Sequence, residues 1–218
     1  MEITKIFTFE GSHVVRNCTS YRCSHSVHGH SYKVELTLSG VQLDHAGMLV
    51  DFGLLKGPIK QFIDAFDHCH VLCAYDDAEY KNFFKEHNDR WIEIPFNPSA
   101  ECLAILFHHY IQYIIDNTKF SNGEGNIVVK SVTVHETTTG RATSSPEDVM
   151  RYWKPNYTCK FSPGVLADWD VPLFNMMSGP YKVENERPEQ QILIPGFNDN
   201  TMINNQQSLF ENHEVCNQ

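Results

Sequence analysis

His28-Gly29-His30-Ser31-Tyr32-Lys33-Val34-Glu35-Leu36-Thr37-Leu38-Ser39 alternates in character residue by residue. Successive side chains of a β-strand point to opposite faces. His28, His30, Tyr32, Val34, Leu36 and Leu38 therefore share one face, and Lys33, Glu35, Thr37 and Ser39 share the other, the pattern of a half-buried strand. The two imidazoles continue the apolar row, and at i and i+2 they project from one face closely enough to share a cation. Gly29 between them carries no side chain and leaves room for another backbone or a ligand.

Upstream, residues 5 to 13 read Lys-Ile-Phe-Thr-Phe-Glu-Gly-Ser-His, with Phe7, Phe9, Gly11 and His13 on one side of a second strand. His13 ends that apolar row and supplies a third imidazole from an adjacent strand. Three neutral imidazoles leave a fourth coordination position open, the arrangement of catalytic zinc. His13, His28 and His30 are thus the expected ligands of a Zn2+ cofactor. Spacing alone is weak evidence, because with 12 His in 218 residues about 0.6 His-x-His pairs arise by chance. A second pair, His68-Cys69-His70, is a rival metal site, and on spacing alone either pair reads equally well as hydrogen-bonded core or surface histidines. Placement on the apolar strand face favours His28 and His30.

Downstream, Leu54, Leu55, Ile59, Phe62, Ile63 and Phe66 recur at helical spacing, with Pro58 tolerable only in a first turn. Ser99 is a plausible N-cap for a longer helix to about Asp116, in which Cys102, Leu103, Leu106, Tyr110, Ile111 and Ile114 form an apolar stripe. After a Ser-Asn-Gly-Glu-Gly break at 121–125, residues 127–136 alternate again, with Val128, Val132, Val134 and Glu136 on one face. A short run from Arg141 to Ser144 returns as a fourth strand. The order strand, strand, helix, helix, strand, strand is a segregated α+β pattern.

From Pro146 the texture changes. Seven of the ten prolines lie at 146, 155, 163, 172, 180, 188 and 195, which excludes long helices from most of this stretch. Tyr152, Trp153, Tyr157, Phe161, Trp169, Phe174, Tyr181 and Phe197 are too many aromatics for a solvated tail. The expectation is a domain over 1–145 and an extension over 146–218, an extended arm packed on the core or on a neighbouring subunit, with its Asn- and Gln-rich last residues loose.

Three further places carry candidate chemistry. Cys23, in a loop with Arg22 and His25, is either a thiolate near the metal or a passive thiol. Asp67-His68 is either a carboxylate orienting an imidazole for proton transfer or a solvent-facing pair. Glu136 is either a buried carboxylate recognising an amidine-like N–H pair or a strand-end charge facing water.

A formal charge of −10 argues against nucleic acid as the main partner, and no apolar run approaches a membrane span. The first residues carry no export or import signal, so the expected location is cytoplasmic. Seven cysteines without a compact framework suggest free thiols in a reducing compartment.

Several ordered motifs together resemble the 6-pyruvoyltetrahydropterin synthase family, most of all its 6-carboxytetrahydropterin synthase branch. They are Phe9-x-x-Ser12-His13, Cys23 ahead of His28-Gly29-His30-Ser31-Tyr32, Gly47-Met48-x-Val50-Asp51-Phe52, Asp67-His68, Asn97-Pro98-Ser99-Ala100-Glu101 and Glu136-Thr137. The resemblance covers about 1–144 and implies a tunnelling fold (T-fold): a four-stranded antiparallel sheet with two helices on one face, in subunits that join into rings such as a hexamer, with the extension beyond it. It also implies zinc on His13, His28 and His30, Cys23 as catalytic thiol and Asp67 and His68 as the proton-transfer pair. Glu136 would anchor a pterin, with Ser99, Ala100 and Glu101 beside the ring. The implied reaction converts 7,8-dihydroneopterin triphosphate to 6-carboxy-5,6,7,8-tetrahydropterin with release of acetaldehyde and triphosphate, in 7-deazaguanine (queuosine) precursor synthesis. Pyruvoyl-type activity and a non-catalytic zinc-bearing binding or assembly module are the alternatives. The spacing between Cys23 and His28 lies between those of the two enzymatic branches and assigns neither.

Overall fold

The computed structural model describes residues 1–178. Two long strands form its spine, β1 (Glu2–His13) and β2 (His28–Gly40), joined by a short helix α1 (Tyr21–His25). β1 and β2 pair antiparallel without a break from Glu2↔Ser39 to His13↔His28. β5 (Ile127–His135) pairs antiparallel with β2, and β6 (Arg141–Ser144) with β5. These are the four antiparallel strands expected from alternation.

The sheet does not stop there. On the free side of β1 lie β3 (Cys69–Cys73), β4 (Trp91–Ile94) and β7 (Lys160–Phe161), giving the order β6-β5-β2-β1-β3-β4-β7, so the expected four-stranded sheet is corrected to a seven-stranded mixed one. β3 and β4 run parallel to each other and to β1. Every residue of both is buried. A strand covered on both faces has no alternation to read, and a buried run of five or four residues is equally compatible with a helix turn.

α2 (Pro58–Asp64) and α4 (Ala100–Asp116) are the two expected helices. Pro58 starts α2, where its missing N–H costs nothing, and the Ser99 hydroxyl caps α4 by accepting from the Cys102 N–H. Both press on the apolar face of the sheet: Phe9 meets Phe66 and Phe107 with ring centroids 5.9 Å apart in each case, and Phe62 meets Tyr110 at 5.1 Å. α3 (Ala78–His87), capped by Asp77, bridges β3 and β4 and covers the opposite face, where Lys81 and Lys85 reach the carboxylate of Glu93 and Phe84 stacks on His70 at 3.9 Å.

Residues 146–178 are three short helices and a strand, not one extended arm. They comprise α5 (Pro146–Tyr152), β7 (Lys160–Phe161), α6 (Pro163–Ala167) and α7 (Val171–Ser178). Their prolines open helices: Pro146 and Pro163 each occupy the first turn of a helix capped by the preceding serine. β7 pairs with β4, and Phe161 and Trp169 enter the same core as Phe62. Tyr181, Phe197 and the Asn- and Gln-rich terminus lie outside the described residues.

Because Trp169 is 1% exposed and packs on Phe161 with centroids 4.8 Å apart, Trp169→Ala is expected to destabilise the protein by about 3–5 kcal/mol. Urea unfolding monitored by circular dichroism measures this, and an unchanged midpoint would mean that the segment does not contribute to the core.

Candidate active site

The register of β1 and β2 assembles the histidines. His13 stands directly opposite His28, and Gly11 opposite His30, so all three imidazoles leave the same face at one end of the pair. Ring centroids are 4.6 Å apart for His13–His28, 5.2 Å for His13–His30 and 5.1 Å for His28–His30. One nitrogen from each lies within 4.8 Å of the others. A Cβ at position 29 would come 2.9 Å from the Gly11 carbonyl, so the room left by Gly29 is taken by the backbone of β1.

Second partners orient the rings. The Pro98 carbonyl can only accept, so the Nδ1 of His13, 2.6 Å away, donates to it. The Nδ1 of His28 likewise donates to the Ser26 carbonyl at 3.0 Å. In a neutral imidazole this tautomer leaves Nε2 with its lone pair free, the state a metal ligand requires. The Nε2 of His30 is buried without a hydrogen-bond partner, a cost that coordination would remove. The three residues therefore fit a divalent ion that favours imidazole nitrogen.

Burial keeps the His13 and His30 rings neutral. Burial pushes the His13 imidazole down to about 4, with the neighbouring His28 and His30 adding to the effect and the Pro98 bond opposing it. Burial also lowers His30, against the pull of Glu136. The Glu136 carboxylate lies 3.6 Å from His13 Nε2 and 4.0 Å from His30 Nε2, and is 30% exposed. It borders the triad rather than standing apart in water.

The connection between α2 and β3 carries Asp67 and His68. His68 has φ +52°, uncommon for a residue with a Cβ, and its Nδ1 donates to the Asp67 carboxylate at 2.8 Å. The other Asp67 oxygen accepts from the Glu10 N–H at 2.8 Å. Burial works to raise the Asp67 carboxyl, but the Glu10 bond, His68 and Arg90 together hold it below the usual range. His68 and His30 line a common cavity of about 400 Å³ with Ser12, Ser31 and Arg90. The rival pair separates: His70 is buried, bonded to the Ser12 hydroxyl at 2.8 Å and the Tyr80 hydroxyl at 2.9 Å. His70 is thus a satisfied core histidine, and among the described residues His13, His28 and His30 are the group able to hold a metal.

Cys23 is half-buried in α1, whose Cys23 carbonyl accepts from the Val15 N–H at 2.9 Å, two residues beyond His13. Among the described residues no hydrogen bond joins its thiol to the triad. Ser99, Ala100 and Glu101 open α4 next to Pro98, and the Asn97 side chain ties this segment to the Arg16 backbone at 2.9 and 3.1 Å. The Pro98 carbonyl as orienter of His13 has no signal in the sequence, because a backbone oxygen 85 residues away is set by the fold alone. The six described cysteines are all free, and no described helix is long and apolar enough to cross a membrane.

A family model described as 6-pyruvoyl tetrahydropterin synthase matches residues 2–147. The chain belongs to that family. Two relatives from Helicobacter pylori carry the name 6-carboxy-5,6,7,8-tetrahydropterin synthase. One, from strain J99, is 39% identical over 78% of this chain and 86% of the relative. The other, from strain 26695, is 38% identical over 80% and 90%. Among solved structures, an uncharacterized protein of Wolinella succinogenes shares the fold with a TM-score of 0.55 at 22% identity, over 67% of this chain and 98% of that one.

Acid should weaken the metal-free protein. Burial depresses His13 and His70 to about 4 from an ordinary value of 6.5. The unfolded chain then binds more protons than the folded one between those values, so stability falls as pH drops from about 6.5 to about 4. At pH 5 each residue is expected to remove about 2 kcal/mol relative to pH 7. Urea titrations in EDTA at the two pH values test this, and the His70→Gln variant should lose less than its parent on acidification.

Proposed function

We propose that this chain is a zinc-dependent 6-carboxy-5,6,7,8-tetrahydropterin synthase. It would act as a carbon–oxygen and carbon–carbon lyase on 7,8-dihydroneopterin triphosphate, taking up one water and giving 6-carboxy-5,6,7,8-tetrahydropterin, acetaldehyde and triphosphate, on the way to 7-deazaguanine (queuosine) precursors. The convergence of the His13, His28 and His30 imidazoles at one end of the β1–β2 pair carries this reading, and the names of the two Helicobacter relatives support its branch.

His13, His28 and His30 would hold the zinc, which when bound supplies Lewis-acid polarisation of the hydroxyls on the substrate side chain. The Pro98 and Ser26 carbonyls keep two of the ligand rings in the binding tautomer. Asp67 accepts the Nδ1 proton of His68, which leaves His68 Nε2 to take a proton from the side chain and return it. Cys23 is the second proton-transfer group in this reading. Glu136 binds the paired N–H groups of the pterin edge, with Ser99, Ala100 and Glu101 beside the ring. The working form is a cytoplasmic, ring-forming homo-oligomer such as a hexamer.

Incubation with dihydroneopterin triphosphate is expected to release acetaldehyde and triphosphate in equal amounts. Triphosphate without aldehyde would replace this assignment by pyruvoyl-type activity. His28→Ala should lose bound zinc and activity together, whereas Asp67→Asn should keep its zinc and lose about 100-fold or more in kcat. If Cys23→Ala and Asp67→Asn both leave turnover unchanged while His28→Ala abolishes folding, zinc has a structural role and the catalytic reading fails.

A further inference from the structure

Arg90 immediately precedes β4, and its guanidinium distributes N–H groups over three elements. Nε donates to the Asp67 carbonyl at 3.0 Å, and Nη2 lies 3.4 Å from each of the Asp64 and Ala65 carbonyls at the end of α2. Nη1 donates to the Gly164 carbonyl of α6 at 3.3 Å and to the Asp168 carboxylate that follows α6. A Cβ at position 164 would come 2.5 Å from the Asp89 carbonyl, so glycine allows α6 to close on this corner.

We propose that Arg90 is a positioning residue for the Asp67–His68 pair, held in place by Gly164 and Asp168 from a segment beyond the family model's match to 2–147. The proposal rests on the proton-transfer role assigned to that pair under the function proposed above.

The connection that carries the pair is strained at His68. A histidine at φ +52° is strained and persists only where its surroundings determine it. Glu10 supplies part of that support: its carbonyl accepts from the His68 N–H at 2.7 Å and its own N–H donates to the Asp67 carboxylate. Arg90 supplies the rest by binding the carbonyls of Asp64, Ala65 and Asp67 with one rigid fork. Lysine could not do this, since its ammonium is a point donor. The charged groups facing the pair are Glu10 from β1, Lys60 and Asp64 from α2, Arg90, and Asp168. Lys60 is engaged by Asp64, and the Glu10 carboxylate by the Ser31 hydroxyl, so the cation bonded to the pair's own backbone is Arg90. Asp168 in turn fixes the guanidinium plane, which couples a residue of the C-terminal segment to the imidazole 100 positions earlier.

The test uses the full chain with Arg90→Gln, Arg90→Lys and Asp168→Asn, assayed for kcat, KM, zinc content and the tautomer of His68 by nitrogen-15 NMR. Arg90→Gln is expected to lower kcat about 10- to 100-fold with KM and zinc within about twofold. It should also shift His68 from the Nδ1–H tautomer toward a mixture. Arg90→Lys should recover only part of kcat, and Asp168→Asn should move both readouts the same way by less. A folded Arg90→Gln protein with parental kcat and parental tautomer would overturn the proposal, as would loss of zinc and KM along with kcat. Should Arg90→Gln not fold, an unchanged His68 tautomer in Asp168→Asn overturns it. If the parent turns over no dihydroneopterin triphosphate, the assigned function fails while the tautomer still reports on positioning.

Discussion

The uninterrupted antiparallel pairing of β1 with β2 is the constraint from which the rest of the molecule follows. It places His13 across from His28 and Phe9 across from Tyr32, and the last two stack at 4.7 Å beneath the imidazoles. A slip of one residue would turn every one of these side chains to the opposite face. Burial of Phe7, Phe9, Tyr32, Val34 and Leu36 opposes that slip. The histidine triad is therefore positioned by the same apolar register that holds the core.

Burial also sets the chemistry of the triad. A net charge of −10 would favour protonated histidines if these rings faced open solvent. Desolvation wins at His13 because its ring is 1% exposed and two other imidazoles are its neighbours. The acidic surroundings are meanwhile neutralised locally: Arg16 pairs with Asp76, Lys85 with Glu93 and Arg90 with Asp168. The cavity that His30 and His68 share thus sees a small set of oriented groups rather than the average field of the protein.

The segment after Ser145 shows how local chemistry and long-range packing cooperate. Its prolines interrupt any long helix, yet two of them sit in first turns behind serine caps, so the same residues start short helices. The segment carries Phe161, Val165, Leu166 and Trp169 into the core, while β7 covers the outer edge of β4. A covered edge is one less site for unwanted strand pairing.

Wherever one face of an element is buried and the other wet, its periodicity could be read directly. That holds for β1 and β2, for the stripes of α2 and α4, and for the shared face of His13, His28 and His30, so the α+β class and the triad were legible from spacing and patterning. In β5 a register shift opposite Thr37 and Leu38 turns Val128 outward and Val129 into the core, against the alternation expected through Val128. β3 and β4 were not legible, because burial on both faces removes alternation, and with them went the true setting of His70. The partners of the chemistry, Pro98 for His13, Glu10 for Asp67 and Arg90 for the His68 connection, belong to the tertiary structure. Each is a hydrogen bond between positions far apart in the chain, and only the closed sheet with its covering helices brings such positions within 3 Å or so of one another.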